Sequence, residues 1–151
     1  MKLEQLLSPE NVSVRLRAAN KAGILAEVSK RAAKTLELSA DAIASALRRR
    51  EELGSTGMGQ GAALPHARLA DINTPFSMLL TLKSPIDFDS VDEQPVDLIF
   101  ALLLPTRFEA EHLNALALAA RRFRDPVVAA SLRKSRDAEE LFAIFIGNHT
   151  S

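Results

Sequence analysis

The sequence predicts a three-layer α/β domain, in which helices cover both faces of a largely apolar sheet. Residues 96–104 form an apolar run with few polar positions, which is typical of a central strand covered on both faces. Segments with a helical spacing of apolar residues lie on both sides of this run along the chain. With 151 residues, 47% of them hydrophobic, the chain is long enough for one domain with a substantial core.

The first third of the chain predicts a strand followed by two helices. Residues 12–16 alternate at period two, as a half-buried strand does. Asn20 is suited to cap a helix that runs to about Lys34. Ser39, with an acid two residues later, is suited to start a second helix that ends near Gly54. The apolar faces of the two helices are predicted to be Leu25, Val28, Ala32 and Leu36 in the first, and Ile43, Ala46 and Leu47 in the second.

The rest of the chain predicts a sheet centre and then helices. Residues 62–64 form a short strand that ends at a histidine, and residues 76–82 and 96–104 form two more strands. An acidic, turn-rich loop joins the last two. Helices are expected from Glu109, from Asp125-Pro126 and from Asp137. The apolar stripe of the first is predicted to be Leu113, Leu116, Ala117, Ala120 and Phe123. That of the last is predicted to be Leu141, Ile144 and Phe145.

Composition excludes several classes of protein. Nineteen basic and nineteen acidic residues cancel, so no global charge favours nucleic acid or an anionic membrane. The lack of cysteine excludes disulfides, thiolate chemistry and cysteine-based zinc sites. Residues 1–7 are too few and too mixed for a signal peptide, and no apolar run approaches the roughly 20 residues of a membrane span. We therefore expect a soluble cytoplasmic protein without a membrane-inserted segment.

The residue in the most distinctive chemical setting is His66, which follows Pro65 in a glycine-rich segment. An imidazole titrates near neutral pH and can act as a nucleophile, a proton carrier or a metal ligand. Proline fixes a backbone dihedral just before the ring, and glycines let N–H groups approach an anion. This setting favours a histidine that is exposed for reaction. The alternative, a structural histidine that only fills a turn, remains open. A metal site is disfavoured because His66, His112 and His149 show neither His-x-His nor His-x3-His spacing.

Residues 50–66 read REELGSTGMGQGAALPH. This segment closely resembles the signature of the enzyme IIA domains of the bacterial phosphotransferase system. The likeness is to the fructose/mannitol superfamily, and especially to its nitrogen-regulatory branch. It continues through residues 85–88 and 94–103 to His112-Leu113, in the same order along nearly the whole chain. It implies a single IIA domain over residues 1–151, with residues 147–151 as a disordered tail. It also implies an α/β/α sandwich with a mixed sheet of the phosphotransferase/anion-transport-protein type.

The resemblance also implies roles for particular side chains. In the family, the histidine of the Pro-His pair takes a phosphoryl group from a histidine-phosphorylated carrier, which makes His66 the phosphorylated residue, on Nε2. His112 matches the family's second histidine and is implied to lie near the first as a supporting hydrogen-bond partner. Arg50 matches the family's arginine and is implied to pair with the phosphoryl oxygens. Two positions depart from the pattern: Ala67 replaces a common glycine, where a positive φ would be strained, and Asn114 replaces a histidine of some members.

Phosphoryl transfer depends on positioning and on stabilising spread negative charge. A phosphoryl group carries about two negative charges near neutral pH. Backbone N–H groups and hydroxyls near the histidine are therefore further candidates for binding it: Ser55, Thr56, Gly57, Gly59 and Gly61. Plain structural roles also fit, because Ser55-Thr56 can simply end a helix and the arginines at 48–50 can form its solvated end. No cofactor and no metal are expected.

The function that the resemblance implies is a phosphorylation-switched regulator of nitrogen, potassium or carbon metabolism. An HPr-like carrier of the nitrogen branch would phosphorylate His66. The dianion, on an otherwise neutral and apolar-rimmed face, would change the binding of regulatory targets such as kinases or potassium transporters. The alternative is a sugar-specific IIA subunit that passes the phosphoryl group to a IIB transporter component. We expect a transfer component more than a turnover enzyme, without an appended transporter domain; whether it forms a homodimer is left open.

Overall fold

The computed structural model describes residues 2–107 and 110–147. The strands in this part of the chain are β1 Val12–Leu16, β2 Gly57–Gly59, β3 Ala62–Ala63, β4 His66–Leu69, β5 Phe76–Ile86 and β6 Val96–Pro105. The helices are α1 Leu3–Leu6, α2 Lys21–Leu36, α3 Ala40–Glu52, α4 Ala110–Arg124, α5 Pro126–Arg133 and α6 Ala138–Ile146, with a 3-10 turn at Pro9–Asn11.

The strands form one mixed sheet in the order β1-β5-β6-β3-β2, and β4 pairs with β6 further along the same edge as β3. β1 is parallel to β5, and β5 is antiparallel to β6. Both β3 and β4 run parallel to β6, whereas β2 is antiparallel to β3. The mixed sheet that we predicted is therefore confirmed. The central position of β6 explains why its residues are almost continuously apolar.

Helices cover both faces of this sheet, as a three-layer sandwich requires. On one face Ile99 and Leu103 of β6 pack into the core formed with α2 and α3. On the opposite face Leu98 and Phe100 of β6 pack with α1, α4, α5 and α6. The alternation follows from the period of two along a strand. Each buried Leu, Ile or Phe contributes on the order of 1.5–3 kcal/mol, so β6 holds the two layers together.

The predicted helix starts at Asn20, Ser39, Asp125 and Asp137 are confirmed, whereas Glu109 lies outside the described residues. The Asn20 carboxamide accepts the Gly23 N–H at 2.8 Å, and the Ser39 hydroxyl accepts the Ala42 N–H at 3.2 Å. Asp125 and Asp137 cap α5 and α6 in the same way. Helix α2 runs two residues past the predicted Lys34, to Leu36, and it ends where Glu37 takes a left-handed conformation.

The structure corrects two details of the prediction. Strand β5 extends to Ile86, so the acidic loop is shorter than expected. In α4 the predicted Ala120 and Phe123 are buried and Leu116 is half-buried, but Ala117 is exposed, and Ala115 and Ala119 pack in the core although they were not predicted. Leu116 lines a surface pocket and also packs against the edge of the core, which is why it is only half-buried. The side chain of Leu113 lies outside the described residues.

Candidate functional site

An open pocket of about 550 Å³ lies beside His66. It is bounded by the C-terminal half of α3, by β4, and by one residue each from β6 and α4. Its lining consists of Ala46, Arg49, Arg50, Leu53, His66, Ala67, Arg68, Leu104 and Leu116. Leu53 is 86% exposed, so the pocket opens next to an apolar side chain on the surface. The imidazole is therefore accessible from outside instead of sealed in the core.

His66 is the first residue of β4, a strand that the sequence did not reveal. It pairs with Leu102 of the central strand, and the Leu102 N–H donates to the carbonyl oxygen of Pro65 at 2.9 Å. Ala67 lies in this extended strand and has no positive φ, so the backbone strain that we considered for it does not arise. The histidine is thus held on a strand paired with the central strand and not on a loop.

The backbone also fixes which nitrogen of the ring is protonated. Nδ1 of His66 lies 2.7 Å from the carbonyl oxygen of Leu64. Since a carbonyl oxygen accepts and cannot donate, Nδ1 carries the hydrogen in this bond. In the neutral ring Nε2 therefore holds the lone pair. The nitrogen that the resemblance assigned as nucleophile is the one left free to react.

The electrostatic surroundings favour the neutral ring. Burial lowers the pKa of His66 below its ordinary value of 6.5, and the positive charge of Arg50 lowers it further. The hydrogen bond to Leu64 and the negative charge of Glu51 act in the opposite direction, and the net pKa remains lowered. A neutral imidazole with a free lone pair is the form that can act as a nucleophile at neutral pH.

Positive charge lines the pocket. Arg50 was predicted, and its Nη1 donates to the carbonyl oxygen of Gly54 at 2.8 Å, which leaves further donors on the guanidinium. Arg49 and Arg68 also line the pocket. The expectation that this face is neutral is therefore wrong: it is rimmed by apolar side chains but carries guanidinium groups that suit an anion.

His112 lies in the first turn of α4 and is 8% exposed. It is one helical turn before Leu116, which lines the pocket, and residues four apart share a face of a helix. His112 is therefore buried one helical turn before a pocket residue, and its contact with His66 stays a prediction. Asn114 is exposed, and no role is assigned to it. His149 lies outside the described residues.

The hydroxyls of Ser55 and Thr56 have other partners. Ser55 Oγ donates to the carbonyl oxygen of Phe88 at 2.6 Å and accepts the Gly57 N–H at 3.0 Å. The Thr56 hydroxyl donates to the carboxylate of Glu51. Because these hydrogens and the Gly57 N–H are engaged within the protein, none of the three groups is placed to bind a phosphoryl group. Their place in the fold is structural.

The structure does not bring the glycine turn, residues 59–61, to the pocket. The carbonyl oxygen of Gly61 accepts the N–H of Leu98, whereas His66 pairs with Leu102, four residues further along β6. At about 3.3 Å per residue, this is a separation of about 13 Å. The N–H groups of Gly59 and Gly61 therefore do not converge with Arg50 on the imidazole.

The glycines serve the geometry of the turn instead. Gly59 and Gly61 have φ values of +90° and +82°, a region that side chains with a Cβ rarely adopt. The Gln60 N–H between them donates to the carboxylate of Asp92 at 2.9 Å. The guanidinium of Arg133 donates to the Gln60 carbonyl oxygen at 2.9 Å, across the face of Gly61. The sequence signal read as an anion-binding loop is a tight turn clamped from both sides.

Sequence reasoning missed Arg49 and Arg68 as neighbours of the reactive ring. Arg68 stands two residues after His66, and residues two apart on a strand point to the same face. Recognition of β4 would have identified it. Arg49 was interpreted as part of a solvated helix end, because nothing in the local sequence distinguishes it from Arg48. Its side chain is exposed in the structure, yet it lines the pocket.

The described residues also bear on the metal-binding and membrane-spanning classes of protein considered above. Residues 2–107 and 110–147 hold no group of three or more histidine, aspartate or glutamate side chains arranged to bind a metal ion. No helix in the same part of the chain is long and apolar enough to cross a membrane.

The fold and the site define an α/β sandwich that presents an accessible imidazole on β4 beside guanidinium groups. Residues 5–147 match the family described as "Phosphoenolpyruvate-dependent sugar phosphotransferase system, EIIA 2". The chain belongs to this family, as the sequence motif predicted.

Several similar proteins are named nitrogen regulatory proteins. The chain is 40% identical over 144 residues to a nitrogen regulatory protein of Bradyrhizobium diazoefficiens, covering 95% of this chain and 94% of that protein. It is 38% identical over 145 residues to a nitrogen regulatory protein of Escherichia coli K12, covering 95% and 89%. The crystal structure of nitrogen regulatory protein IIA-Ntr from Neisseria meningitidis superposes with a TM-score of 0.88 at 33% identity, covering 93% of this chain and 97% of that one.

Proposed function

We propose that this protein carries a phosphoryl group on Nε2 of His66, received from an HPr-like carrier, and that it acts as a regulatory switch. The observation that carries the proposal is the 2.7 Å contact between Nδ1 of His66 and the Leu64 carbonyl oxygen, inside a pocket lined by Arg50. Together these leave the nucleophilic nitrogen free and set a cation where negative charge would arrive.

The transfer step follows from this arrangement. The Nε2 lone pair attacks the phosphorus of the carrier's phosphohistidine, and a new P–N bond forms as the carrier's P–N bond breaks. The electron pair of the broken bond returns to the carrier's imidazole. Nδ1 of His66 keeps its hydrogen, and the Leu64 carbonyl oxygen stabilises the positive charge that the ring acquires. The protein needs to supply position and charge stabilisation and no further covalent step.

Guanidinium groups suit the product of this step. Arg50, Arg49 and Arg68 line the pocket around the ring, and planar guanidinium pairs well with phosphate oxygens. His112, which is buried one helical turn before the pocket residue Leu116, is proposed as the supporting ring. Arrival of about two negative charges would offset most of the positive charge of these arginines. Phosphorylation would thereby convert a basic, apolar-rimmed pocket into a nearly neutral one, which is the physical basis of the switch.

The names of the relatives support regulation over sugar transport. The nitrogen regulatory proteins match at 38–40% identity along almost the full chain. A fructose-specific EIIABC component of Bacillus subtilis matches at 30% identity over 118 residues, and the chain covers 19% of that protein. The partners that we propose are an HPr-like carrier of the nitrogen branch and target proteins such as kinases or potassium transporters.

The decisive experiment is reconstituted phosphorylation from phosphoenolpyruvate through the upstream enzyme and the HPr-like carrier. Wild type is expected to acquire one acid-labile, base-stable phosphoryl group, located by mass spectrometry on the peptide that contains His66. His66→Ala is expected to take up none, whereas His112→Ala is expected to accept it more slowly. Label that persists in His66→Ala would refute the assignment.

A second arm separates regulation from transport. Purified phosphorylated protein is mixed with a fructose-type IIB component or with candidate target proteins. A regulator is expected to bind a target in one charge state and to transfer poorly to IIB. Rapid, complete transfer to IIB, with no target that distinguishes the two states, would support the sugar-specific alternative instead.

A further inference from the structure

Glu51 stands at the end of α3, and its carboxylate is the centre of a buried cluster that the transfer step does not use. Its side chain is 6% exposed. The carboxylate accepts from Lys21 Nζ at 2.9 Å, from the Thr56 N–H at 3.1 Å and from the Thr56 hydroxyl. A buried carboxylate is costly unless donors surround it, and here three donors do. The buried carboxylate of Glu51 therefore holds Thr56 in place.

Thr56 in turn holds the residue that orients the reactive ring. Its carbonyl oxygen accepts the N–H of Leu64 at 3.0 Å. The carbonyl oxygen of the same Leu64 is the group bonded to Nδ1 of His66 at 2.7 Å. One unbroken series of contacts thus runs from the Glu51 carboxylate through Thr56 and Leu64 to the imidazole.

The chain on both sides of Leu64 is anchored to the central strand, and Thr56 adds a contact from the edge of the sheet. On the histidine side, the Pro65 carbonyl oxygen bonds to Leu102 of the central strand. On the other side, Ala63 pairs with Ile99 of the same strand, and the Leu64 N–H itself bonds to Thr56, which precedes the three-residue edge strand β2 and follows the turn at Gly54. A short edge strand is weakly held by its own hydrogen bonds. The clamp on Thr56 by Glu51 supplies the rigidity that the strand lacks.

Lys21 ties this clamp to a second element. Its Nζ lies 2.9 Å from Glu51 and 4.7 Å from the ring centroid of Phe88, and it contacts the Phe88 carbonyl oxygen at 3.5 Å. The ammonium is half-buried between the start of α2 and the loop after β5. It neutralises the carboxylate and keeps both oxygens aimed at Thr56.

We propose that Glu51 is a positioning residue for the reactive histidine, acting through Thr56 and Leu64 to hold the ring with hydrogen on Nδ1 and the lone pair on Nε2. The consequence for phosphoryl transfer rests on the proposed function. The effect on the ring does not, because it exists in the unphosphorylated protein. The two can therefore fail separately.

The test measures the tautomer of His66 directly, from the imidazole ¹⁵N chemical shifts of unphosphorylated protein at a pH where the ring is neutral. Wild type is expected to give one tautomer, protonated on Nδ1. Glu51→Ala is expected to give a mixture of tautomers. Thr56→Val keeps the N–H donor but removes the hydroxyl, and it is expected to give a smaller admixture. Glu52→Ala is the matched control, since its side chain is exposed at the next position of the same helix.

The same variants are then phosphorylated by the carrier. Glu51→Ala is expected to accept the group about tenfold more slowly than Glu52→Ala, because a displaced nucleophile loses its near-attack geometry. Should Glu51→Ala fold poorly, Glu51→Gln preserves the volume and removes the charge, and it is expected to show the same direction in both measurements.

The inference is overturned if these variants lose stability yet keep the wild-type tautomer and the transfer rate of Glu52→Ala. In that case the cluster would serve the fold alone. If no variant, wild type included, takes a phosphoryl group, the proposed function fails, and the tautomer spectra still decide the role of Glu51.

Discussion

His66 and Arg50 line one pocket from β4 and α3, and the positive charge of Arg50 disfavours protonation of the histidine. Burial of the ring is the main cause that lowers its pKa, and the charge of Arg50 is the next. The same charge that repels a proton on the ring attracts a phosphoryl dianion. The guanidinium thus adds to burial in keeping the ring neutral, and under the proposed function the same charge would stabilise the phosphorylated product.

Arg50→Ala is expected to raise the pKa of His66, since it removes a nearby positive charge that disfavours the imidazolium. An NMR titration of the His66 ring gives this pKa directly. Arg48→Ala is the matched control, because Arg48 lies on the same helix and donates to Ser45 instead of lining the pocket. Equal displacement of the pKa in both variants would mean that the effect is one of net charge and not of the site.

The same substitution is expected to weaken the phosphorylated form. Loss of a hydrogen bond to a charged group costs about 1.5–3 kcal/mol, which corresponds to a shift of about tenfold or more in the transfer equilibrium. The measurement is the fraction of phosphoryl group on this protein when it is equilibrated with the phosphorylated carrier. Arg50→Ala should leave more of it on the carrier, whereas Arg48→Ala should match wild type. An unchanged partition in Arg50→Ala would remove Arg50 from the phosphoryl site.

The lowered pKa of His66 also predicts how stability depends on pH. The unfolded chain protonates this ring at the ordinary pKa of 6.5, while the folded protein holds it neutral to lower pH. Between these two values the unfolded state binds more protons, so the contribution of His66 to stability is lost as pH falls below about 6.5. Urea unfolding at a series of pH values should show a steeper loss for wild type than for His66→Gln. Parallel curves for the two proteins would argue that the ring titrates normally in the fold.

The layers of the fold could be predicted from the sequence because they depend on long patterns. The apolar run of β6 and the caps at Asn20 and Ser39 each have a local physical cause, and the structure has them where they were expected. Strands β2 and β4 were missed for the converse reason. They are three and four residues long, and their existence depends on pairing with β3 and β6 instead of on their own periodicity.

Chemistry and motif coincide at His66 and Arg50, and the pocket that these two residues share could be predicted from the sequence, while their phosphoryl-binding role stays a prediction. The site could not be predicted where the hydrogen-bond partner of a side chain depends on how the backbone folds. Ser55 and Thr56 carry hydroxyls at the right distance in sequence, yet each is turned to a protein acceptor that only the fold reveals, Phe88 and Glu51. The glycines were attractive as anion-binding backbone, but the pairing of β3 with β6 carries them to the other end of that strand.

A last prediction concerns the contact between Gly57 and Ser90, which tests the packing beneath the glycine segment. Ser90 is 6% exposed, and within the described residues its Oγ is a buried hydroxyl without a hydrogen-bond partner. A Cβ added at Gly57 would lie 3.1 Å from the Ser90 Cβ and would collide with its hydroxyl. Gly57→Ala is therefore expected to destabilise the protein by about 1–3 kcal/mol, the usual cost of overpacking.

Ser90→Ala is expected to be neutral or mildly stabilising, because it removes a buried polar group that finds no partner among the described residues. In the Ser90→Ala background, Gly57→Ala should cost less, since the colliding oxygen is gone while the tight Cβ contact stays. The double-mutant cycle, measured by urea unfolding, isolates this coupling. Additive free energies of unfolding would contradict the steric explanation and point instead to the backbone freedom of Gly57 as the reason for a glycine at this position.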